Sequence, residues 1–178
     1  FQEKMKRAEI NSVLAKIAEG DERAFERLFE ETKGGVYSFV YSYMKNREDS
    51  EDVVQTVYLK IKQNIDKFES SGSGLAWILQ IAKNTAITEL RRRKIYDNYV
   101  ELSNVADEVS TEPEDEGEVT AVMRKCLTDE EQRIILLHVI WGYKHREIAE
   151  LLDIPTGSVT SKYKRAVDKI KINLKKEA

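Results

Sequence analysis

Apolar side chains recur at three- and four-residue spacing along most of this chain, without the strict alternation of a half-buried strand. Proline, which ends or kinks helices, occurs only at Pro113 and Pro155, and glycine occurs eight times in 178 residues. A chain with this pattern has few points at which a helix must stop. The sequence therefore predicts an all-α fold.

Charge is divided unevenly along the chain. Residues 1–100 contain 17 basic and 16 acidic side chains, residues 101–123 contain eight acidic and no basic ones, and residues 124–178 contain 12 basic and eight acidic ones. The acidic segment also has few large apolar side chains, so it cannot bury enough surface to offset its ordering entropy. We expect two small helical domains, residues 1–100 and 124–178, joined by an acidic flexible linker over residues 101–123.

The acidic linker has two interpretations. As a solvated tether, it needs no function beyond connecting the domains. As a polyanion, it would keep the basic faces of the protein from binding nucleic acid indiscriminately.

The cysteine and histidine content excludes several kinds of site. Cys126 is the single cysteine, and His138 and His145 have no partner at metal-ligand spacing, so the sequence predicts no disulfide, metal site or cofactor. No nucleophile dyad or phosphate loop indicates an enzyme. No apolar run is long enough to span a membrane, and a reducing cytoplasm is the expected location. Met5 is a candidate natural first residue, with residues 1–4 an added segment.

The C-terminal segment first predicts a capped helix. Thr128 and Glu131 have the spacing of a capping box, in which each side chain accepts from the other residue's backbone amide. Gly142 is suited to the left-handed conformation just past a helix end. The apolar positions of this helix are Ile134, Leu137 and Val139.

Two further helices are predicted on either side of the break at residues 153–155. The shorter covers residues 145–152 and has an apolar face, and a longer one capped by Thr156 or a neighbour follows. This is the pattern of a helix-turn-helix, which we favour over an ordinary helical hairpin with a solvated basic face. The shorter helix's face consists of Ile148, Ala149 and Leu152, and the DNA-facing positions of the longer helix are Ser158, Thr160, Ser161, Lys164 and Arg165.

The N-terminal segment predicts two long helices. Asp21 is the expected N-cap of the first, which continues across Gly34 and Gly35. The second is expected to begin near Asp49 to Asp52, where acidic side chains suit the helix dipole or dock on a partner. Its apolar stripe is Val53, Val54, Val57, Tyr58, Ile61 and Ile65.

A glycine- and serine-rich loop at residues 69–74 precedes another helix, which ends in the basic run of residues 91–94. Pairing with the helix dipole accounts for the basic run without any ligand. Nucleic acid binding is the favoured alternative. Loop atoms can enclose an unstacked nucleobase while the basic side chains of the run hold the phosphate backbone.

Four motifs in order resemble the extracytoplasmic-function type of bacterial sigma factor, within the sigma-70 family. Residues 20–25 (GDERAF) resemble the opening of region 2, and residues 49–58 (DSEDVVQTVY) its polymerase-binding helix. Residues 76–84 (AWILQIAKN) followed by residues 90–93 (LRRR) resemble the promoter-melting helix. Residues 147–166 resemble region 4.

This resemblance implies a non-catalytic specificity subunit that recruits core RNA polymerase and reads a promoter. The first domain would bind the beta-prime clamp helices and the melted minus-ten strand, and the second the beta flap and the minus-thirty-five duplex. The polymerase contacts would be Glu51, Asp52, Gln55 and Tyr58. The minus-ten contacts would be Phe68, Ser71, Gly72, Trp77, Asn84, Arg91, Arg92 and Arg93, with burial as an alternative role for Trp77. The minus-thirty-five contacts would be Arg146, Pro155, Gly157, Ser158, Thr160, Ser161, Lys164 and Arg165.

The sequence departs from the family pattern at three positions. Lys144 stands where Ser or Thr commonly caps the helix, Asp153 where Gly is common in the turn, and Thr160 where Lys or Arg is frequent. The promoter sequence therefore stays unassigned. The resemblance admits an anti-sigma factor as a further partner, one that would hold the protein at the inner membrane. The competing hypothesis is a stand-alone helix-turn-helix regulator, which would bind a two-fold DNA site tightly by itself.

Overall fold

The computed structural model describes residue 5, residues 7–101 and residues 123–177, and every regular element in these parts of the chain is helical. The all-α prediction is confirmed. The chain divides into two compact units, Phe1–Thr111 and Glu112–Ala178. The predicted linker falls almost entirely on residues 102–122, which lie outside the described residues. None of the described helices is both long and apolar enough to cross a membrane.

The first unit begins with two helices, α1 (Arg7–Ala18) and α2 (Glu22–Met44). The Asp21 carboxylate accepts hydrogen bonds from the backbone amides of Arg23 and Ala24, so it caps α2 as predicted. Helix α2 continues through the glycine pair without a break. Helix α1 was not predicted, although it buries four apolar residues at helical spacing: Ile10, Val13, Leu14 and Ile17.

Two more helices complete the first unit, α3 (Arg47–Gln63) and α4 (Gly74–Glu101). The predicted start of α3 was wrong by two residues, because the side chain of Asn46 caps the helix by accepting from the amide of Asp49 at 3.1 Å. Ile65, predicted on the apolar stripe of α3, lies instead in a short 3-10 turn, Ile65–Lys67.

The core of the first unit includes a buried polar contact between α2 and α3. The hydroxyls of Thr32 and Tyr58 lie 2.7 Å apart, and Tyr58 is 4% exposed. The Tyr58 ring packs edge-on against Phe29 and Phe25, with ring centroids 4.8 Å and 6.5 Å away. Burial raises the pKa of the Tyr58 phenol, so this side chain stays neutral.

The second unit opens with α5 (Asp129–Ile135), which continues into one π-helical turn, Leu136–Ile140. The predicted capping box is confirmed, since Glu131 accepts from the Thr128 amide at 2.9 Å and Thr128 from the Glu131 amide at 3.3 Å. Gly142 follows with a φ of 63°, as expected. The prediction was wrong at Val139, which is 68% exposed. At about 100° per residue it lies on the side of the helix opposite Leu137 and well away from Ile134.

The helix-turn-helix consists of α6 (His145–Leu152) and α7 (Thr156–Glu177). Both α5 and α6 pack against α7. Leu151 is buried where Leu152 was predicted, and Leu152 is only half-buried. Asp153 ends α6 in the left-handed conformation with a φ of 59°, which a short polar side chain tolerates better than most.

The start of α4 lies unusually close to α1. A Cβ added at Gly74 would lie 2.6 Å from Leu14 Cδ1, 2.7 Å from Asn11 Oδ1 and 3.2 Å from Ile10 Cγ2. A side chain at position 74 would therefore have to displace the side chains of Leu14 and Asn11, so α1 and α4 pack closely at this point.

We therefore expect Gly74→Ala to destabilise the first unit by about 1–3 kcal/mol, the usual cost of overpacking a filled site. The control is Gly34→Ala, whose new Cβ meets nothing within 4 Å in the middle of α2 and which should stabilise the helix by about 0.5–1 kcal/mol. Urea unfolding followed by Trp77 fluorescence, in a Trp141→Phe background, measures both changes. Equal stabilities of the two variants would contradict the close packing of α1 and α4.

Candidate nucleic-acid interface

The loop between the 3-10 turn and α4 is closed by local hydrogen bonds. The Gly72 amide donates to the Glu69 carbonyl at 2.9 Å, and the Ala76 amide donates to the Ser73 hydroxyl at 3.3 Å, so Ser73 caps α4. Ser71 and Gly72 are exposed at the turn. The predicted loop residues are thus accessible to a ligand.

Asn11 of α1 ties this loop to a distant part of the chain. Its Nδ2 donates to the Gly72 carbonyl at 2.7 Å, and its Oδ1 accepts from the Gly74 amide, also at 2.7 Å. No local signal in the sequence indicates this contact, because it spans more than 60 positions and depends on a helix that was not predicted.

One face of α4 carries polar side chains from the loop to the basic run of the helix. Trp77, Asn84 and Arg91 lie seven residues apart, close to two helical turns, so they share that face. Trp77 is half-buried against Phe68, with ring centroids 5.4 Å apart, whereas Asn84 and Arg91 are exposed. The Asn84 side-chain oxygen accepts from Gln80 at 2.9 Å. The burial alternative for Trp77 therefore holds for part of its ring.

The basic run does not end α4 as predicted, because the helix continues for about two more turns to Glu101. The three arginines of the run differ in their surroundings. Arg93 forms ion pairs with Asp49 of α3 and with Glu89, at 3.2 Å for the second. The hydrogen bond from Arg92, followed by that from Arg93, lowers the pKa of Glu89 despite partial burial. Two carboxylates already hold Arg93, which links α3 to α4, so its guanidinium is partly engaged and its role as a DNA contact stays a prediction. Arg91 and Arg92 stay exposed.

The loop and the basic run do not form one compact site. Position 91 follows position 74 by 17 residues, which places them about 25 Å apart along the helix axis. The shared face of α4 is therefore an elongated track rather than a pocket.

The exposed face of α3 carries three of the predicted polymerase contacts, Glu51, Asp52 and Gln55. Glu51 pairs with Arg47 at 3.0 Å one turn earlier. The fourth prediction, Tyr58, is corrected by the structure: its ring is buried between α2 and α3, where no partner can reach it.

The outward face of α7 presents the predicted DNA contacts in two chemical groups. Lys164 and Arg165 are exposed, whereas the hydroxyls are partly occupied. Ser161 Oγ donates to the Gly157 carbonyl at 2.5 Å, and Thr160 Oγ1 donates to the Thr156 carbonyl at 3.1 Å. Pro155 and Gly157 are also exposed, Ser158 is half-buried, and Arg146 of α6 lies 3.4 Å from Glu150.

Three rings hold the helices of the second unit together beside this face. The ring centroids of His138, His145 and Tyr163 lie 4.7–5.4 Å apart, and His138 Nδ1 lies 2.8 Å from the Tyr143 carbonyl. His145 Nδ1 lies 3.1 Å from Thr160 Oγ1. The cluster joins the π-helical turn to both helices of the helix-turn-helix.

Comparison with known proteins gives matches in both units. Residues 28–95 match the family model described as Sigma-70 region 2, and residues 125–170 match Sigma-70, region 4. The ECF RNA polymerase sigma factor SigK of Mycobacterium tuberculosis (strain ATCC 25618 / H37Rv) is 26% identical over 170 residues, 90% of each chain. SigX of Bacillus subtilis (strain 168), another ECF RNA polymerase sigma factor, is 24% identical over 158 residues, 82% of this chain and 81% of SigX.

The chain belongs to the extracytoplasmic-function (ECF) group of the sigma-70 family. It is an RNA polymerase sigma factor for transcription initiation. Sigma factors are known as non-catalytic specificity subunits of that polymerase.

Solved structures support the fold of this ECF sigma factor. The sigma factor RpoE of Bartonella quintana, in a co-crystal structure with the anti-sigma factor NepR, superposes with a TM-score of 0.67 at 20% identity, over 85% of this chain and 96% of that one. CnrH, in complex with the cytosolic domain of CnrY, gives a TM-score of 0.62 at 23% identity, over 94% of this chain and 98% of that one.

Ion pairs from α7 fix the region 4 helices of the ECF sigma factor. Glu131 is 3% exposed and accepts from Lys169 at 2.7 Å, and Lys162 pairs with Glu130. Burial alone would raise the pKa of Glu131, but the hydrogen bonds from Lys169 and Thr128 together lower it below its ordinary value of 4.5.

Because the folded-state pKa of Glu131 is depressed, its contribution to stability is present above the unfolded pKa and is lost as the pH falls through the folded pKa. We expect the region 4 unit to lose stability below about pH 4.5, and Glu131→Gln, which cannot ionise, to lose less over that range. The control Glu150→Gln changes a 70% exposed side chain and should follow the unaltered protein. Unfolding followed by Trp141 fluorescence in a Trp77→Phe background measures this; identical acid dependence in all three proteins would contradict it.

Proposed function

We propose that this sigma factor reads a two-element promoter with two separate surfaces. The region 2 unit binds the beta-prime clamp helices and captures melted minus-ten bases, and the region 4 unit binds the beta flap and the minus-thirty-five duplex. The observation that carries the proposal is the polar face of α4, which joins an exposed loop to exposed arginines on a helix whose other face is buried.

The proposed polymerase contact is the exposed face of α3. Glu51 and Asp52 are adjacent there and Gln55 follows one turn later, so the face offers two carboxylates and an amide. Such a face complements basic and polar side chains on a partner helix.

The proposed minus-ten contact begins at the loop and follows α4. Ser71 and Gly72 lie at an exposed turn that can enclose an unstacked base, and Trp77 offers part of an aromatic face for stacking. Asn84 can donate and accept hydrogen bonds at a base edge. Arg91 and Arg92 then hold the phosphate backbone further along the track.

The proposed minus-thirty-five contact is the N-terminal half of α7 in the major groove. Lys164 and Arg165 can bind phosphate or the guanine edge, and a bidentate arginine contact is the strongest direct reading of guanine. Ser161 already donates to an α7 carbonyl, so its oxygen can act as an acceptor for DNA. Thr160 is more fully engaged, because its hydroxyl also lies 3.1 Å from His145 Nδ1. Arg146 of α6 is 85% exposed and suits a flanking phosphate.

The further partners and the location belong to the same proposal. The chain itself carries out no catalysis and acts in the cytoplasm. RpoE of Bartonella quintana was crystallised with an anti-sigma factor, and we propose that an anti-sigma factor, anchored at the inner membrane, also restrains this protein. The stand-alone regulator is not favoured, because it gives no reason for both family regions to occur in one chain.

The proposal is tested by transcription with purified bacterial core polymerase on a pool of randomised promoters. Addition of this protein should select templates that share two separated elements and should start transcripts downstream of the second. Core polymerase alone is the control. Selection of a single two-fold element, bound equally well without polymerase, would instead support the stand-alone regulator.

Variants at the two surfaces should affect different steps. On a promoter selected in this way, Asn84→Ala should slow strand opening by about tenfold and leave duplex binding intact, as expected when one base contact of about 1–3 kcal/mol is lost. Arg165→Ala should weaken duplex binding to a similar extent. Glu26→Ala on α2 and Lys171→Ala on α7, both exposed, are the controls. Equal loss of both steps in both variants would contradict two separate surfaces.

A further inference from the structure

The carboxamide of Asn11 holds both ends of a three-residue segment of the loop. It donates to the Gly72 carbonyl and accepts from the Gly74 amide, each at 2.7 Å, with Ser73 between them. A side-chain amide has one donor group and one acceptor group, so this residue type matches a backbone carbonyl and a backbone amide two positions apart. Ser71, an exposed residue of the turn, directly precedes Gly72, whose carbonyl accepts the first of these bonds.

Packing around the carboxamide fixes its position. Ile10 directly precedes Asn11 on α1 and Leu14 follows it by about one turn, and both are buried against the start of α4 at Gly74. Asn11 thus restrains the loop from a distant part of the chain. The other two contacts, the Gly72–Glu69 turn and the Ser73 cap, are between residues of the loop and the start of α4. The match to region 2 begins at residue 28, so α1 lies outside it.

We propose that Asn11 is a positioning residue for base capture, acting through Gly72 and Gly74 without touching DNA. A loop rich in serine and glycine loses conformational freedom when it encloses a base, and a loop that is already held in place loses less. This inference rests on the proposed function of the loop and assigns to α1 a part in minus-ten discrimination.

Two substitutions separate positioning from simple support of the fold. Asn11→Ala removes both hydrogen bonds. Asn11→Asp keeps an acceptor for the Gly74 amide, and with it the docking of α4, but leaves the Gly72 carbonyl without its donor. Ser12→Ala changes the neighbouring exposed residue and serves as the matched control.

The test uses holoenzyme assembled from core polymerase and the full chain. The probe is a duplex promoter selected from the randomised pool, together with its three single-base replacements at each minus-ten position. The measured quantity is the ratio of opening rates between the selected base and its replacements. A general loss of folded protein lowers all rates equally and leaves this ratio unchanged.

Asn11→Ala and Asn11→Asp should lower that ratio about tenfold at one minus-ten position, as expected for the loss of about 1.4 kcal/mol of discrimination, and Ser12→Ala should keep it. A third variant that lacks Ser70 and Ser71 tests the loop itself. If it loses discrimination while both Asn11 variants retain it, the positioning role is wrong and the proposed function stands. If the shortened loop also retains discrimination, the proposed function of the loop is wrong.

Discussion

The burial of one face of α4 against α1, α2 and α3 is the constraint on which the candidate minus-ten surface depends. Leu75, Ile78, Leu79 and Ala82 are almost fully buried, and this fixes the rotation of the helix about its axis. The face that carries Asn84 and Arg91 must then point outward. At its first residue, Gly74, the helix packs closely against α1, and about two turns before its last residue Arg93 is held by Asp49 of α3.

The region 4 unit is fixed by a different balance of interactions, because α6 has only eight residues and offers little apolar surface. The core of this unit includes Ile134, Leu137, Ile148, Val159 and Ala166, and ion pairs from Lys162 and Lys169 to the start of α5 add long-range restraints. Lysines on the inner side of α7 are thereby used in folding. Lys164 and Arg165 on the outer side are exposed and available for the proposed DNA contact. One helix can therefore use lysines both to stabilise the fold and to bind DNA.

Helical periodicity and capping chemistry made much of the fold predictable from the sequence. Asp21, the capping box of Thr128 and Glu131, and the left-handed Gly142 are local signals, and the structure confirms each of them. Long-range partners left no such signal. Tyr58 was assigned to a polymerase contact and Arg93 to DNA, although one is buried and the other is paired with Asp49. Asn11 was missed for the same reason, because its two partners, Gly72 and Gly74, lie in a loop more than 60 positions away.

The central claim is that the loop meets melted DNA and that α7 meets duplex DNA. It is tested most directly by site-specific photo-crosslinking in holoenzyme, with a probe attached at Ser71→Cys or at Ser161→Cys after Cys126 is replaced by serine. The account predicts that the position 71 probe labels one non-template minus-ten base, only after the strands separate. It also predicts that the position 161 probe labels the upstream duplex before and after opening. Labelling of upstream duplex from position 71, or no change in labelling on opening, would contradict the account.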